Sequence, residues 1–354
     1  MVRLLLAGPG DPTYREAARL LTGWRAEGTL RTDGDRRFYL YTMQYVDRTG
    51  TERTAAGIIG ALQLLPLGEK VLPHEETMPK TSADRLAVLS STRANLDLII
   101  ALTPSPEFQE LLEVPGPARL SFEIEGVAHS LYDITDPEVI TAISSTVAAH
   151  PVAIADGHHR YTTGLAYQAG QSGPGSWDAI MTFLVPAEGS GLTIGPTHRV
   201  FPRASLNIDL LGERFMIESG RAIPPQVPGT IVLVPGVNHA SGPMSLTPRV
   251  EALEGLPEPW RLASPAVARE LLYPLLEVEE SQAAYFADPL EALEAGNLQT
   301  RGAVALMATV SEDAINAATV AKLRFPQKST FFVPKPRSGL VIRCFEDDED
   351  GSVG

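Results

Sequence analysis

The chain has 354 residues, 44% of them hydrophobic and 20% charged, with a formal net charge of -14 from 29 basic and 43 acidic side chains. This is the composition of a soluble globular protein long enough for two domains. The acidic balance excludes a duplex-DNA binder built on basic phosphate contacts, but leaves room for a local positive pocket holding a small anion. The one cysteine, Cys344, excludes an intrachain disulfide framework and a Cys-based zinc site, and makes the cytoplasm the expected compartment. The opening Met1–Pro9 is too short in its apolar part for a signal peptide, and no stretch reaches the length of a membrane span.

In chain order, Tyr14, Ala17, Leu20, Leu21 and Trp24 have helical spacing, with Gly28 placed to end the helix. Phe38 to Val46 and Ala55 to Leu64 read as strands joined by an Asp47–Thr51 hairpin. Thr81–Asp84 matches a capping box, with Asp84 as its acid and Leu86 and Leu89 following on one helical face. Ile99 to Leu102 reads as a strand and Leu120 to Ile134 as a second hairpin. Asp136-Pro137 predicts a helix start, with Asp as N-cap and Pro at the first helical position. Pro151 to Ala155 then reads as strand and Gly164 to Gln168 as helix, followed by a strand over Ala179 to Val185. From Pro202 to Trp260 prolines are frequent and periodicity is weak, which predicts a boundary region. Helices are expected over Ala266 to Leu276, from Asp288-Pro289 to Gly296, and after Ser311, with a strand over Gly302 to Ala308. The mixture of hairpins and helices predicts an α+β (mixed α/β) protein. The expected division is 1–200, 201–345, and an acidic disordered tail over 346–354.

The segment Ile154-Ala-Asp-Gly-His-His-Arg-Tyr-Thr-Thr-Gly164 puts Asp156, Gly157, His158, His159 and Arg160 where a strand gives way to a helix. Unpaired N–H groups and the helix dipole make such a start an anion site. The start alone contributes only about 0.3–1 kcal/mol at an exposed site, so Arg160 and the imidazoles must supply much of the rest. Pro73–Lys80, Pro196–Arg199 and Pro326–Thr330 also concentrate polar groups suited to a phosphate or a hydroxyl substrate. Taken singly, each has a plainer reading. Glu75 and Glu76 read as solvated loop carboxylates, Asp156 as a partner that stiffens the turn through Arg160, and Lys328 as a surface lysine. Thr197, His198 and Arg199 can simply end a strand. The His158–His159 pair matches no strong zinc spacing.

Seven stretches, in order, resemble the prokaryotic family catalogued as domain of unknown function 1015. They are His74–Lys80, Asp84–Leu86, Thr92–Asn95, Asp133–Pro137, Ala155–Tyr161, Pro196–Arg199 and Pro326–Thr330, and the resemblance spans about Tyr14 to Ile342. Members of that family usually carry a segment ahead of the stretch equivalent to Tyr14, which this chain is expected to lack. The Asp156–Arg160 loop is also similar to the phosphate-binding loop of the ParB/sulfiredoxin superfamily. Sulfiredoxins place a catalytic Cys where this chain has His158, which excludes their chemistry. The ParB nucleotide switches pair a basic loop with a DNA-binding domain, and neither is present. The superfamily's free serine kinases match best, through Pro73-His74-Glu75, Asp156–Arg160 and Pro326–Thr330.

This resemblance implies a ParB/sulfiredoxin-like core with an α/β C-terminal region completing the cleft. It implies a phosphotransferase using ATP or ADP with Mg²⁺ on free L-serine or a similar hydroxy amino acid, with no protein ligand set assigned to a metal. Glu75 is then the general base, with His74 and Asp156 beside it in the catalytic set. Gly157, His158, His159 and Arg160 join Asp156 in holding nucleotide phosphates. Lys328, Ser329 and Thr330, with Thr197, His198 and Arg199, hold the substrate. A phosphoserine phosphatase-like hydrolase and a non-enzymatic nucleotide switch are the alternatives. The expected partners are small molecules only, with no nucleic acid and no membrane.

Overall fold

The computed structural model describes residues 11–77, 79–237, 239–297 and 302–349. The chain is mixed α/β and forms two compact units, one of residues 1–73, 77–193 and 334–354, the other of 74–76 and 194–333. The boundary expected at 200 therefore falls at 193, and the chain returns to the first unit at 334. The reason is physical: units are set by long-range packing, which a linear reading of composition does not see.

The first unit opens with α1 (Asp11–Ala26), and Gly28 beyond it adopts a left-handed φ of 74°. The strands β1 (Phe38–Val46) and β2 (Glu52–Gln63) pair antiparallel, and the Asp47 carboxylate accepts the N–H groups of Thr49 and Thr51 across their turn. The strands β3 (Val71–Pro73), β4 (Ala94–Asn95) and β5 (Ile99–Thr103) follow, with α2 (Pro79–Thr92) before β4 and α3 (Pro106–Glu110) after β5. The expected capping-box side chains Thr81 and Ser82 lie outside the described residues. The Asp84 carboxylate accepts the Tyr14 hydroxyl at 2.9 Å, tying α2 to α1.

Next come the hairpin of β6 (Leu120–Ile124) and β7 (Val127–Ile134), then α4 (Pro137–Ala149), whose N-cap Asp136 accepts the Glu138 N–H at 2.9 Å. The unit continues with β8 (Val152–Asp156), α5 (His158–Ala169) and β9 (Ala179–Pro186). Eight strands form one sheet in the order β3-β8-β5-β9-β2-β1-β7-β6. The β3–β8 and β5–β9 pairs are parallel and the rest antiparallel. Leu40, Ile58, Ile99, Ile134, Ile154 and Leu184 from these strands meet Ile143 of α4 and Tyr161 of α5 in its core.

Within this sheet His129 is buried, stacked on Phe122 at 4.8 Å, with Nδ1 2.7 Å from the Tyr41 hydroxyl. The Tyr41 oxygen accepts the Arg337 N–H at 3.2 Å, and burial pushes its phenol up to about 12. A phenol donating to Nδ1 requires a neutral ring, and burial together with Arg337 lowers the His129 imidazole from its ordinary value. The unfolded ring takes a proton near pH 6.5, whereas the folded one does so only at lower pH. This group's contribution to stability is therefore complete above about pH 6.5 and is lost as pH falls through the lower folded value. Urea midpoints at pH 7.5 and pH 5 should differ more for the native chain than for His129→Gln. Equal differences would remove His129 as the cause.

The second unit begins where β10 (Thr193–Gly195) crosses the boundary, and continues with β11 (His198–Phe201), α6 (Ile208–Arg214), β12 (Phe215–Ser219), β13 (Ile231–Pro235) and β14 (Met244–Pro248). The stretch 202–260, expected as a boundary, thus carries α6 and three strands of the unit's own sheet, β12, β13 and β14. Two of its prolines, Pro235 and Pro248, are the last residues of β13 and β14. Short helices α7 (Glu258–Arg261), α8 (Ser264–Val267) and α9 (Tyr273–Leu276) follow, with a π-helical turn over Ala268–Leu272. After β15 (Ala284–Phe286) come α10 (Pro289–Asn297), β16 (Ala303–Met307), α11 (Glu312–Val320), capped by the Ser311 hydroxyl, and β17 (Phe331–Val333). The sheet order is β12-β14-β13-β16-β11-β15, antiparallel throughout.

Back in the first unit, β18 (Arg343–Cys344) pairs with β4, and α12 (Phe345–Glu349) occupies residues expected in a disordered tail. Phe345, buried to 1% exposure, explains the difference, because an apolar anchor at the start orders the acidic turn behind it. Residues 350–354 of that expected tail lie outside the described ones. Among the described residues no helix is long and apolar enough to cross a membrane.

Candidate functional site

In the first unit the loop between β8 and α5 is a tight strand-to-helix turn. Gly157 is the N-cap of α5 with φ 93° and ψ 25°, and no side chain caps the helix. A Cβ there would lie 2.8 Å from Ile99 Cγ2 and 3.0 Å from Arg160 Nε, so both the φ and the space call for glycine. Tyr161, fully buried, fixes the helix behind the turn. Its hydroxyl donates to the Leu65 carbonyl at 2.7 Å and accepts the Leu65 N–H at 2.9 Å.

The loop's charges are arranged around Arg160. Its guanidinium donates to Asp97 and, at 3.1 Å, to Asp156 Oδ2. Lys335 Nζ lies 3.2 Å from the same Asp156 oxygen, and the Ser338 hydroxyl donates to Asp97 Oδ1 at 2.9 Å. His158 is buried and His159 half-buried. Two cations thus share Asp156, and the helix start beside them adds the positive end of its dipole. Asp97, Lys335 and Ser338 carry no sequence signal for this site. Asp97 lies next to the Thr92–Asn95 stretch but outside it.

In the second unit Glu75 is buried to 9% exposure and its carboxylate closes the loop that follows Pro326. Oε2 accepts the Lys328 N–H at 3.1 Å, and Oε1 accepts the Thr330 N–H at 2.8 Å and its hydroxyl at 2.7 Å. His74 Nε2 lies 2.9 Å from the same hydroxyl. The backbone supports this arrangement: Phe325 N–H donates to the His74 carbonyl and Glu76 N–H to the Phe325 carbonyl. Glu75 is therefore no solvated loop carboxylate. Glu76 pairs with Arg269 at 2.8 Å.

The remaining predicted residues of this unit form its framework. Arg199 has no exposed surface, and its guanidinium donates to the carbonyls of Thr197, of Gln327 at 3.3 Å and of Lys328 at 3.1 Å. It also stacks on Tyr285 at 5.4 Å. His198 Nδ1 accepts the Met307 N–H at 3.1 Å, and the Ser329 hydroxyl donates to the Pro326 carbonyl at 2.6 Å. Thr197 is buried, and its hydroxyl has no partner among the described residues. His198, Arg199 and Ser329 thus make backbone bonds that shape the loop. Lys328 is exposed and Thr330 half-buried. Glu280, whose carboxyl is pushed up by burial, was missed because its neighbours Arg199 and Arg269 are distant in sequence.

No curated protein matches the chain. A conserved hypothetical protein from Pyrococcus furiosus is similar at 11% identity and a TM-score of 0.45, over 82% of this chain and 96% of that one. SbnI with a C-terminal truncation, from Staphylococcus aureus, is similar at 12% identity and a TM-score of 0.49, over 82% and 90%. A free serine kinase in complex with AMP is similar at 12% identity and a TM-score of 0.43, over 78% and 87%. The family model described as Protein of unknown function (DUF1015) matches residues 2–242, which leaves the Pro326–Thr330 segment outside the match. That match covers more than half of the chain, which therefore belongs to the DUF1015 family.

Proposed function

We propose that this protein is a nucleotide-dependent phosphotransferase acting on free L-serine or a similar small hydroxy amino acid. The observation that carries the reading is the α5 start, where a left-handed Gly157, a helix without a side-chain cap and Arg160 come together. Backbone N–H groups at such a turn take phosphate oxygens, and Arg160 adds charge-assisted bonds. Among the described residues no three His, Cys, Asp or Glu converge on a metal site. A Mg²⁺ ion completed by phosphate oxygens needs only one or two carboxylates, and Asp156 would be the carboxylate nearest to hand in the loop. When bound, Mg²⁺ would share the charge of the ATP or ADP phosphates.

Glu75 is assigned the base. It would take the proton of the serine hydroxyl as that oxygen forms its bond to the terminal phosphorus, and the bond to the bridging oxygen of the shortened nucleotide breaks. Lys328 and Thr330 are assigned to the phosphoryl group of phosphoserine. The test is a thermal-shift screen of ATP, ADP and CTP with and without serine or phosphoserine. Stabilisation by a nucleotide, increased by serine, is expected. No shift with any nucleotide would refute the reading.

Lys328 permits a clean variant. It adopts φ 55°, the left-handed region that glycine enters without a Cβ penalty. Lys328→Gly keeps the N–H on Glu75 and removes an exposed side chain together with its ammonium, so stability should stay within about 1 kcal/mol. Phosphoserine should bind at least about tenfold more weakly by calorimetry, because a charged hydrogen bond is lost. Unchanged affinity would remove Lys328 from this role.

One observation favours a second reading, a nucleotide switch without turnover. Both Glu75 oxygens already accept bonds from Lys328 and Thr330, as a purely structural brace would. Nucleotide binding that is lost in Arg160→Ala, without any product, would select it over the kinase. Phosphate release from phosphoserine without nucleotide would select a hydrolase.

A further inference from the structure

The proposed function leaves one arginine of the first unit unused. Arg85 sits on α2 within the Asp84–Leu86 stretch and is more than half buried. Its guanidinium makes no hydrogen bond or ion pair with any described residue, and the charges around it are Arg160, Asp97 and Asp84. Both acids are already engaged: Asp97 by Arg160 and Ser338, and Asp84 by Tyr14. Burial, and then repulsion from Arg160, work against the charge of Arg85. A desolvated cation without a partner is costly, and proteins keep one where an anion arrives.

A second observation is independent of that charge. Thr163, on the second turn of α5, is 3% exposed, and its hydroxyl has no partner among the described residues. Arg85, Asp97, Arg160 and Thr163 line one cavity of about 70 Å³, walled otherwise by Asn95, Gly164 and apolar side chains. A water needs only about 10–15 Å³ by this kind of measure, so the space holds a few waters or one four-oxygen anion. Arg160 spends bonds on Asp97 and Asp156 and, with five N–H donors in a guanidinium, keeps others to offer.

We propose that this cavity is an anion subsite for a single phosphoryl group, with the Arg85 and Arg160 guanidinium groups and the Thr163 hydroxyl as its donors. It deepens the phosphotransferase reading, on which it rests through Arg160, by giving one phosphate a place on the flank of α5. Its test needs no turnover and has an arm with inorganic phosphate alone, so its failure and the failure of that reading are separable.

Inorganic phosphate and, separately, ADP are titrated by calorimetry into the full chain, Arg85→Met and Thr163→Val. The native chain should bind saturably, Arg85→Met at least about tenfold more weakly, and Thr163→Val several-fold more weakly. Arg85→Met without ligand should melt no lower than the native chain, since it removes an uncompensated, desolvated charge while keeping the stem. A tenfold loss for phosphate assigns the subsite to the free ion as well as to a nucleotide. A loss confined to ADP assigns it to a nucleotide phosphate, and either result supports the site. Equal affinities of the native chain and both variants for both ligands, or no saturable binding of either, would overturn it. Thr163→Val, nearly isosteric, decides the matter should Arg85→Met fail to fold.

Discussion

Glu75→Gln should lower phosphoryl transfer by roughly 10²–10⁴-fold, the usual worth of a positioned general base. The substitution also changes the loop it holds, and the two effects can be read apart. Glutamine keeps an acceptor oxygen for Thr330 but turns an amide toward the Lys328 N–H, which now sits 3.1 Å from Oε2. That donor facing a donor should cost about 1–3 kcal/mol, seen as a lower urea midpoint with an unchanged slope. Rates compared well below the variant's melting temperature then report chemistry alone. Full turnover in a destabilised Glu75→Gln would leave Glu75 as a brace and nothing more.

Gly157→Ala carries the second large effect, and it falls on stability and binding together. A side chain at φ 93° is strained, and its Cβ would press on Ile99 Cγ2 at 2.8 Å and Arg160 Nε at 3.0 Å. Left-handed strain of about 1–2 kcal/mol, added to overpacking of about 1–3 kcal/mol, predicts a loss of roughly 2–5 kcal/mol. Relief by backbone movement would shift the N–H groups of the α5 start, so nucleotide affinity should fall as well. A variant with native stability and native affinity would show that the turn tolerates a Cβ and that its geometry does not define a phosphate site.

Elements with a local chemical signature were legible in the sequence. Asp136-Pro137, Ser311 and the Asp47 turn satisfy backbone groups within a few residues, so their signals lie within a few residues too. β3, β4 and β18 are two or three residues long and exist only because a neighbouring strand accepts their bonds. The proline-rich stretch 202–260 was misread for the same reason. Its strands β12 to β14 are fixed by pairing with one another and with β16, not by periodicity.

The candidate sites divide the same way. The Asp156–Arg160 turn is visible as a contiguous strand–glycine–helix pattern. The Glu75 contacts join residues 253 and 255 positions apart, and only the resemblance suggested that the two segments belong together. Asp97, Lys335 and Ser338 gave no sign at all, since a lone acid, lysine or serine in a loop has many plainer uses. Arg199 is a different case. Its residue type suggests an anion contact, and in the fold its buried terminal N–H groups reach three carbonyls.

The central claim is a phosphoryl transfer between a nucleotide and a small hydroxy amino acid. Incubation of the full chain with Mg²⁺, L-serine and ATP or ADP, followed by ³¹P spectroscopy, tests it directly. Phosphoserine should appear only with nucleotide present, and the reverse reaction should run when phosphoserine and the shortened nucleotide are supplied. No phosphoserine with either nucleotide, under conditions where the chain binds it, would contradict the account.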